Sequence, residues 1–282
     1  MSSTLAPEVL AAPVPTIAIS KTVSAAELRW RARAISLGVV VGVLTLWAVA
    51  SARGWVHPPF LPAPAQVVRT AISLWRDGYV GATLPEHALA SLLRVAAGFG
   101  IAAAAAIPIG LVMGMNRWVK AGFDPVIEFY WPLPPLSYLP LIIIWLGIGE
   151  VAKVTLLTLA MFAPICLSVQ SGVRGVPRER VHAARTLGAT GWQVFTEIML
   201  PSALPELFTG LRIAVGVGWG TLVAAELVAA TSGIGFMIMQ ASEFLSTDIV
   251  FIGIFAIAVL AIGSSLLIRA AEQWLVPWRG RS

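Results

Sequence analysis

Charge is what this sequence has least of. Asp, Glu, Lys and Arg make up 12% of its 282 residues, about half of the roughly 25% usual in soluble domains. So few polar groups cannot cover a water-facing surface, which excludes a large soluble globular protein. A hydrophobic content of 58% and a mean hydropathy of +0.85 call instead for lipid as the solvent. Cysteine is nearly absent: Cys166 stands alone, so no intrachain disulfide can form, and within an apolar run it reads as a small packing residue. His57, His87 and His182 are scattered without ligand spacing, which leaves no metal site. No paired carboxylates or nucleophile–base set is evident, which argues against a membrane enzyme. No G-x-x-x-x-G-K-[ST] phosphate loop occurs either, and Gly216-Val-Gly-Trp-Gly follows no strand, so its glycines read as helix-packing positions.

What is present is a series of apolar runs separated by basic clusters. The net charge of +5 is carried by those clusters rather than by a basic stripe interleaved with aromatics, so nucleic-acid binding is a poor reading. Residues 1–34, rich in Ala, Pro and Ser, lack the basic and apolar regions of a signal peptide and are expected to form a flexible cytoplasmic tail. Lys21, Arg29, Arg31 and Arg33 precede a first span at about 35–52, in which Gly38 and Gly42 form a weak G-x-x-x-G pair. From Pro64 onward, Val67, Val68, Ala71, Leu74 and Trp75 recur at helical spacing, which predicts a short amphipathic helix in the outer interface. A second span at about 87–113 contains Arg94, which must face protein or water rather than lipid.

The third span is interrupted. Pro132, Pro134, Pro135 and Pro140 remove four backbone donors within nine residues, and irregular backbone at membrane depth survives only against protein or an aqueous cavity. An apolar helix resumes over 139–149, and a short turn leads to a fourth span at about 154–169. A polar segment, 173–205, follows with Arg174, Arg178, Arg180 and Arg185. The fifth and sixth spans lie at about 207–230 and 250–270, within a transmembrane domain over 35–272, and residues 273–282 form a cytoplasmic tail. This arrangement puts fourteen of the nineteen basic residues on the inner side and predicts about six helices with both termini cytoplasmic. An ion-coupled carrier would need several midplane carboxylates and an internal repeat. Only Glu226 and Glu128 present themselves, and no repeat is evident.

The inner loop reads Val181-His-Ala-Ala-Arg-Thr-Leu-Gly-Ala-Thr-Gly-Trp-Gln-Val-Phe-Thr-Glu-Ile-Met-Leu-Pro201. Ala183 and Ala184 leave a surface without bulk, and Gly188 can take the positive φ that ends a helix. Thr190 and Gln193 have capping-box spacing. Trp192, Phe195 and Met199 fall on one apolar face before Pro201, which is expected to end the segment. Periodicity leaves two readings open: an element that docks into a partner's groove, or a loop helix lying on its own protein.

This segment resembles the EAA loop of importer permeases of the ATP-binding-cassette superfamily. Ala183, Ala184, Gly188, Leu200 and Pro201 stand at the family's positions, while His182 replaces its Glu and removes any ion pair made by that acid. Over roughly 60–278 the chain is similar to the nitrate, sulfonate and taurine branch. The likeness is carried by Phe60-Leu-Pro-Ala-Pro, Asp124-Pro-Val-Ile-Glu, Pro134-Pro-Leu-Ser-Tyr-Leu-Pro, Trp145-Leu-Gly-Ile-Gly-Glu and Ala203-Leu-Pro-Glu-Leu-Phe-Thr-Gly-Leu-Arg-Ile. Gly216-Val-Gly-Trp-Gly-Thr-Leu-Val-Ala-Ala-Glu-Leu and Ala241-Ser-Glu-Phe-Leu-Ser-Thr-Asp look most like taurine permeases.

The resemblance implies an all-α integral membrane fold of the type I importer (MetI-like) kind in a bacterial inner membrane. It implies taurine as solute, with alkanesulfonates, nitrate or another small solute as the alternative. Two cytoplasmic ATPase subunits would hold ATP and Mg, so this chain would carry neither a catalytic site nor a cofactor. A second, identical permease chain and a periplasmic binding protein would complete the assembly. The coupling residues would be Ala183, Ala184, Gly188, Trp192, Phe195, Leu200 and Pro201. Being polar or aromatic within spans, Tyr130, Tyr138, Trp219, Thr221 and Glu226 are candidates for the pathway. For Glu226 the structural alternative is an ion pair with Arg94 that joins two helices.

Overall fold

Long apolar runs without interior turn chemistry become helices, because a chain in lipid must satisfy every backbone group within itself. In a computed structural model of the protein, residues 25–56 and 60–278 are described. The helices are α1 (Ala25–Ala52), α2 (Pro64–Arg76), α3 (Leu84–Met115), α4 (Arg117–Tyr130), α5 (Pro135–Leu146), α6 (Glu150–Arg174), α7 (Arg178–Thr186), α8 (Gly191–Gln193), α9 (Leu200–Ala229), α10 (Ile234–Glu243) and α11 (Thr247–Leu275). A π-helical stretch, Val194–Met199, joins α8 to α9. No strand occurs among the described residues.

Five helices are long and apolar enough to cross a membrane, and the α4–α5 pair, bent by 101°, makes a sixth if it is one broken span. The break falls at 131–134, where the proline cluster predicts it. Boundaries differ from the sequence reading, and the apolar helix expected over 139–149 is Pro135–Leu146. Helix α1 begins at Ala25, so the tail expected over 1–34 is helical from there, and its first 24 residues lie outside the described ones. The C-terminal tail expected from 273 is helical to Leu275, and Arg279 and Arg281 lie outside the described residues, as does His57. A further difference is α10, a short helix in the stretch between the fifth and sixth expected spans.

The core is α3, α6 and α9, and glycines set its geometry. A Cβ at Gly98 would stand 2.7 Å from Leu157 Cβ, one at Gly110 2.6 Å from the Cys166 carbonyl oxygen, and one at Gly114 2.6 Å from Val173 Cβ. Successive α3 positions thus meet successive α6 positions, so the two helices run parallel. In contrast, Gly172 meets Ala203 and Gly218 meets Met161, so α9 runs antiparallel to α6. Helix α7 therefore sits at the end where α6 stops and α9 starts, and α10 sits at the opposite end. The weak G-x-x-x-G pair of α1, Gly38 and Gly42, packs on nothing: a Cβ at either would meet no atom within 4 Å. Helix α1 stands off the core, held where Trp47 stacks on Phe251 at 5.5 Å and its Nε1 donates to the Pro62 carbonyl at 3.0 Å.

Backbone-to-backbone packing of this kind leaves no room for a side chain. Gly110→Leu is expected to lower stability by about 1–3 kcal/mol through overpacking, read as a lower midpoint of thermal unfolding in detergent. Gly100→Ala, facing open space in the same helix, should stay within about 0.5 kcal/mol of the parent. Equal midpoints for the two variants would refute the close α3–α6 contact.

Candidate functional site

The segment between α6 and α9 is built to protrude. None of the nine residues of α7 is buried. Its end is a Schellman motif: Gly188 N–H donates to the Arg185 carbonyl at 3.0 Å and Ala189 N–H to the Ala184 carbonyl at 3.0 Å. Gly188 holds φ +85°, which a β-branched residue adopts only with strain. The next helix opens with a reciprocal capping box. Gln193 N–H donates to Thr190 Oγ1 at 3.3 Å, and Thr190 N–H donates to Gln193 Oε1 at 2.8 Å. Between the two caps, Leu187 is 90% exposed.

From that box the helix does not stop. It passes through Val194–Met199 as π-helix and continues as α9 to Ala229, so Pro201 lies at the start of α9 and does not end the segment. Proline removes a donor and its ring crowds the carbonyl four residues back. The wider π-turn immediately before Pro201 accommodates both effects, so the helix continues where the sequence suggests a stop. Val194 anchors the segment in the core, while Trp192 remains 72% exposed with its ring 5.6 Å from that of Phe195. Ala183 is exposed, and Ala184 and Leu200 are half-buried. The coupling candidates thus form one contiguous element with an exposed tip and a helical stem.

The pathway candidates divide into two groups. Tyr130 and Tyr138 line a cavity of about 110 Å³ at the α4–α5 break, against Leu159, Ala163 and Val217. Thr221 lines an adjoining groove of about 270 Å³ with Pro134, Leu136 and Gly220, and Val217 and Pro135 border both spaces. Trp219 and Glu226 do not join them. On α9, 217, 220, 221 and 224 share the groove face, whereas 215, 219, 222 and 226 follow helical spacing on the buried face. Trp219 is therefore a core residue, 3% exposed.

Glu226 is the centre of a charged cluster at the α10 end. Its Oε1 accepts from Arg94 Nη1 at 2.6 Å and from Ser91 Oγ at 2.8 Å, and its Oε2 accepts from Gly235 N–H at 2.8 Å. Arg94 also donates to both oxygens of Glu150, at 2.7 and 2.8 Å, and to the carbonyl and hydroxyl of Ser232, at 2.7 and 3.1 Å. All five guanidinium N–H groups are thereby used. Lys153, 2% exposed, donates to Glu150 at 2.7 Å.

The N-terminus of α10 closes the cluster. Ile234 N–H donates to Ser91 Oγ at 2.9 Å and Gly233 N–H to His87 Nδ1 at 3.0 Å. Because Nδ1 accepts, the imidazole is the neutral tautomer whose Nε2–H donates to the Tyr79 carbonyl, 3.0 Å away. Side chains of α3 and α9 thus satisfy the first amides of α10, and the Glu226 carboxylate sits at the positive end of that helix. Sequence reasoning paired Arg94 with Glu226 but missed Glu150, Lys153, Ser91, Ser232 and His87. The available signal was polar residues of one charge-balanced set, all at span ends.

Comparison with known proteins gives a consistent picture. A sequence model of the family described as "Binding-protein-dependent transport system inner membrane component" matches residues 106–279. The taurine transport system permease protein TauC of Escherichia coli (strain K12) is 44% identical over 271 residues, 94% of this chain and 98% of that one. The putative aliphatic sulfonates transport permease protein SsuC of the same strain is 35% identical over 250 residues, 87% of this chain and 94% of that one. Among solved structures, a chain of the inward-facing MetNI methionine ABC transporter shares the fold with a TM-score of 0.54 at 17% identity. That likeness covers 66% of this chain and 95% of that one.

Proposed function

This chain belongs to the family of binding-protein-dependent transport system inner membrane components, and from that premise we propose that the solute it carries inward is taurine. It is a multi-pass inner-membrane permease of an ABC importer. The observation that carries the mechanism is the unbroken helix from the Thr190 cap through the π-stretch into α9. A force applied at an exposed tip is transmitted along such a stem, because a continuous helix bends little.

In this reading α7 and the Trp192 tip dock into each of two cytoplasmic ATPase subunits, which bind ATP and Mg and hydrolyse the nucleotide. Both termini and α7 then lie in the cytoplasm, and the α10 end faces the periplasmic binding protein. Two copies of this chain enclose the pathway. The groove face of α9 with Thr221, together with the broken α4–α5 span and its Tyr130 and Tyr138, supplies hydroxyls suited to a small zwitterion. Alternating access follows: nucleotide binding draws the docked tips together and opens the α10 end, and hydrolysis resets it. A second reading, import of aliphatic sulfonates, is favoured by the relative that is 35% identical, and the shared sulfonate group makes it chemically close.

The test is uptake of labelled taurine into proteoliposomes holding this chain, its ATPase and internal ATP, with the binding protein outside. Uptake that needs both ATP and binding protein, and that resists excess ethanesulfonate, is expected. Preferential ethanesulfonate uptake would transfer the assignment to the second reading, and uptake driven by an ion gradient without ATP would refute both.

A further inference from the structure

Glu150 differs from the other charged members of the Arg94 cluster in facing water. The cations it holds are shut away, Arg94 at 5% exposed and Lys153 at 2%, yet the Glu150 side chain is 60% exposed. Arg94 Nη2 and Lys153 Nζ converge on one of its oxygens, Oε1, at 2.8 and 2.7 Å, while Arg94 Nε donates to Oε2 at 2.7 Å. No other ion pair of Lys153 occurs among the described residues. One acidic side chain at the rim thus covers two buried cations.

The turn that carries Glu150 gives it room to leave. The turn reads Gly147-Ile-Gly-Glu150. A Cβ at Gly147 or Gly149 would meet no atom within 4 Å, and Ile148 is 79% exposed. Gly149, the N-cap of α6, has no side chain to offer to the first amides of that helix, so the positive helix end adds to the field of the two cations. With Glu150 turned out to water, Arg94 Nε and Nη2, Lys153 Nζ and the Ser232 hydroxyl, 3.1 Å from Nη2, surround one space.

We propose that the sulfonate of the entering solute takes the place of the Glu150 carboxylate on Arg94 and Lys153. The proposal rests on the sulfonate-bearing solute of the proposed function and names the residues that receive it. A sulfonate carries one negative charge on three acceptor oxygens. One oxygen suits Arg94 Nε, one the converging Nη2 and Nζ donors, and the third the Ser232 hydroxyl. One singly charged anion replaces another, so the buried cations stay paired throughout the exchange. Taurine gains more than an alkanesulfonate, because its ammonium, two carbons from the sulfonate, meets the displaced carboxylate. Glu150 therefore plugs the empty site and pairs with the zwitterion in the filled one. The site lies at the α10 end, where solute arrives in the proposed function, and shares no residue with the groove of Thr221.

The experiment is equilibrium binding of labelled taurine and labelled ethanesulfonate to the full-length chain in detergent, at constant ionic strength set by sodium chloride. Glu150→Gln removes the competing charge. It is expected to bind ethanesulfonate about tenfold more tightly than the parent, the gain when a site filled by its own side chain about nine-tenths of the time is vacated. Taurine is expected to bind the parent more tightly than ethanesulfonate does, and to lose that advantage in Glu150→Gln. A second variant guards against a folding defect. Glu150→Ala strands Lys153 and should melt below the parent, and millimolar ethanesulfonate should raise its midpoint where equal sodium chloride does not. No gain in affinity for Glu150→Gln, or a rise in the Glu150→Ala midpoint that chloride matches, would overturn the proposal. ATP-driven taurine uptake without the Glu150→Gln gain would remove this site alone. Preferential uptake of ethanesulfonate with the gain intact would change the solute and leave the site standing.

Discussion

Arg94→Met is expected to be among the most damaging single substitutions in the protein, lowering the stability of the folded bundle by about 3–5 kcal/mol. Arg94 is 5% exposed and Glu226 1%, so removing the guanidinium strands a carboxylate that water cannot reach. The same change releases Ser232 and loosens Glu150, which leaves α3, α6 and the α9–α10 turn without their common partner. Thermal unfolding in detergent reads the loss. Arg94→Met combined with Glu226→Leu removes the stranded charge and should recover part of it, with an interaction energy of about 1–3 kcal/mol in a double-mutant cycle. Glu150 then retains Lys153. A single Arg94→Met variant that melts with the parent would show that the cluster does not hold these helices. The cycle also separates two roles for Glu226. A structural role appears in the unfolding midpoint, whereas a solute-binding role appears in the concentration dependence of uptake by Glu226→Gln.

Gly188→Val has the second largest expected effect, and it acts on coupling. At φ +85° a β-branched side chain costs about 1–3 kcal/mol of local strain, which the exposed Schellman turn relieves by reshaping. Nothing lies within 4 Å of the position, so the bundle itself has no cause to unfold. The expectation is normal membrane insertion with a fall of about tenfold or more in solute moved per ATP hydrolysed, since about 1.4 kcal/mol corresponds to a factor of ten. Gly188→Asn, a residue that tolerates the left-handed region, should restore most of the ratio. Coupled uptake at the parent ratio in Gly188→Val would remove α7 and its turn from the coupling mechanism.

Spans, the proline break and the two caps were legible because each rests on chemistry local in sequence. Thr190 and Gln193 sit three apart, Gly188 ends an alanine-rich turn, and Pro132, Pro134 and Pro135 remove three of the four backbone donors a helix would need there. Pro201 misled because its effect depends on the turn before it, and a π-stretch has no sequence signal comparable to a cap. Polarity selected residues without fixing which face of α9 they occupy: Thr221 lines the groove and Tyr138 the adjoining cavity, whereas Trp219 lies in the core. The cluster around Arg94 was least legible. Glu150 and Lys153 read as an ordinary turn, and only the close glycine packing of α3 on α6 brings that turn beneath Arg94. The same packing explains why Gly110 and Gly114 meet α6 while Gly38 and Gly42, at the same spacing, face nothing.

The cluster has an electrical consequence. Arg94 and Lys153 contribute two positive charges and Glu150 and Glu226 two negative ones, held together by ion pairs of 2.6–2.7 Å. A single charge carried across a membrane at 100 mV exchanges about 2.3 kcal/mol with the field. A set that sums to zero and moves as one exchanges none. In the alternating access proposed for this chain, the helices that carry the cluster then move it as a neutral unit, and the membrane potential favours neither of its positions.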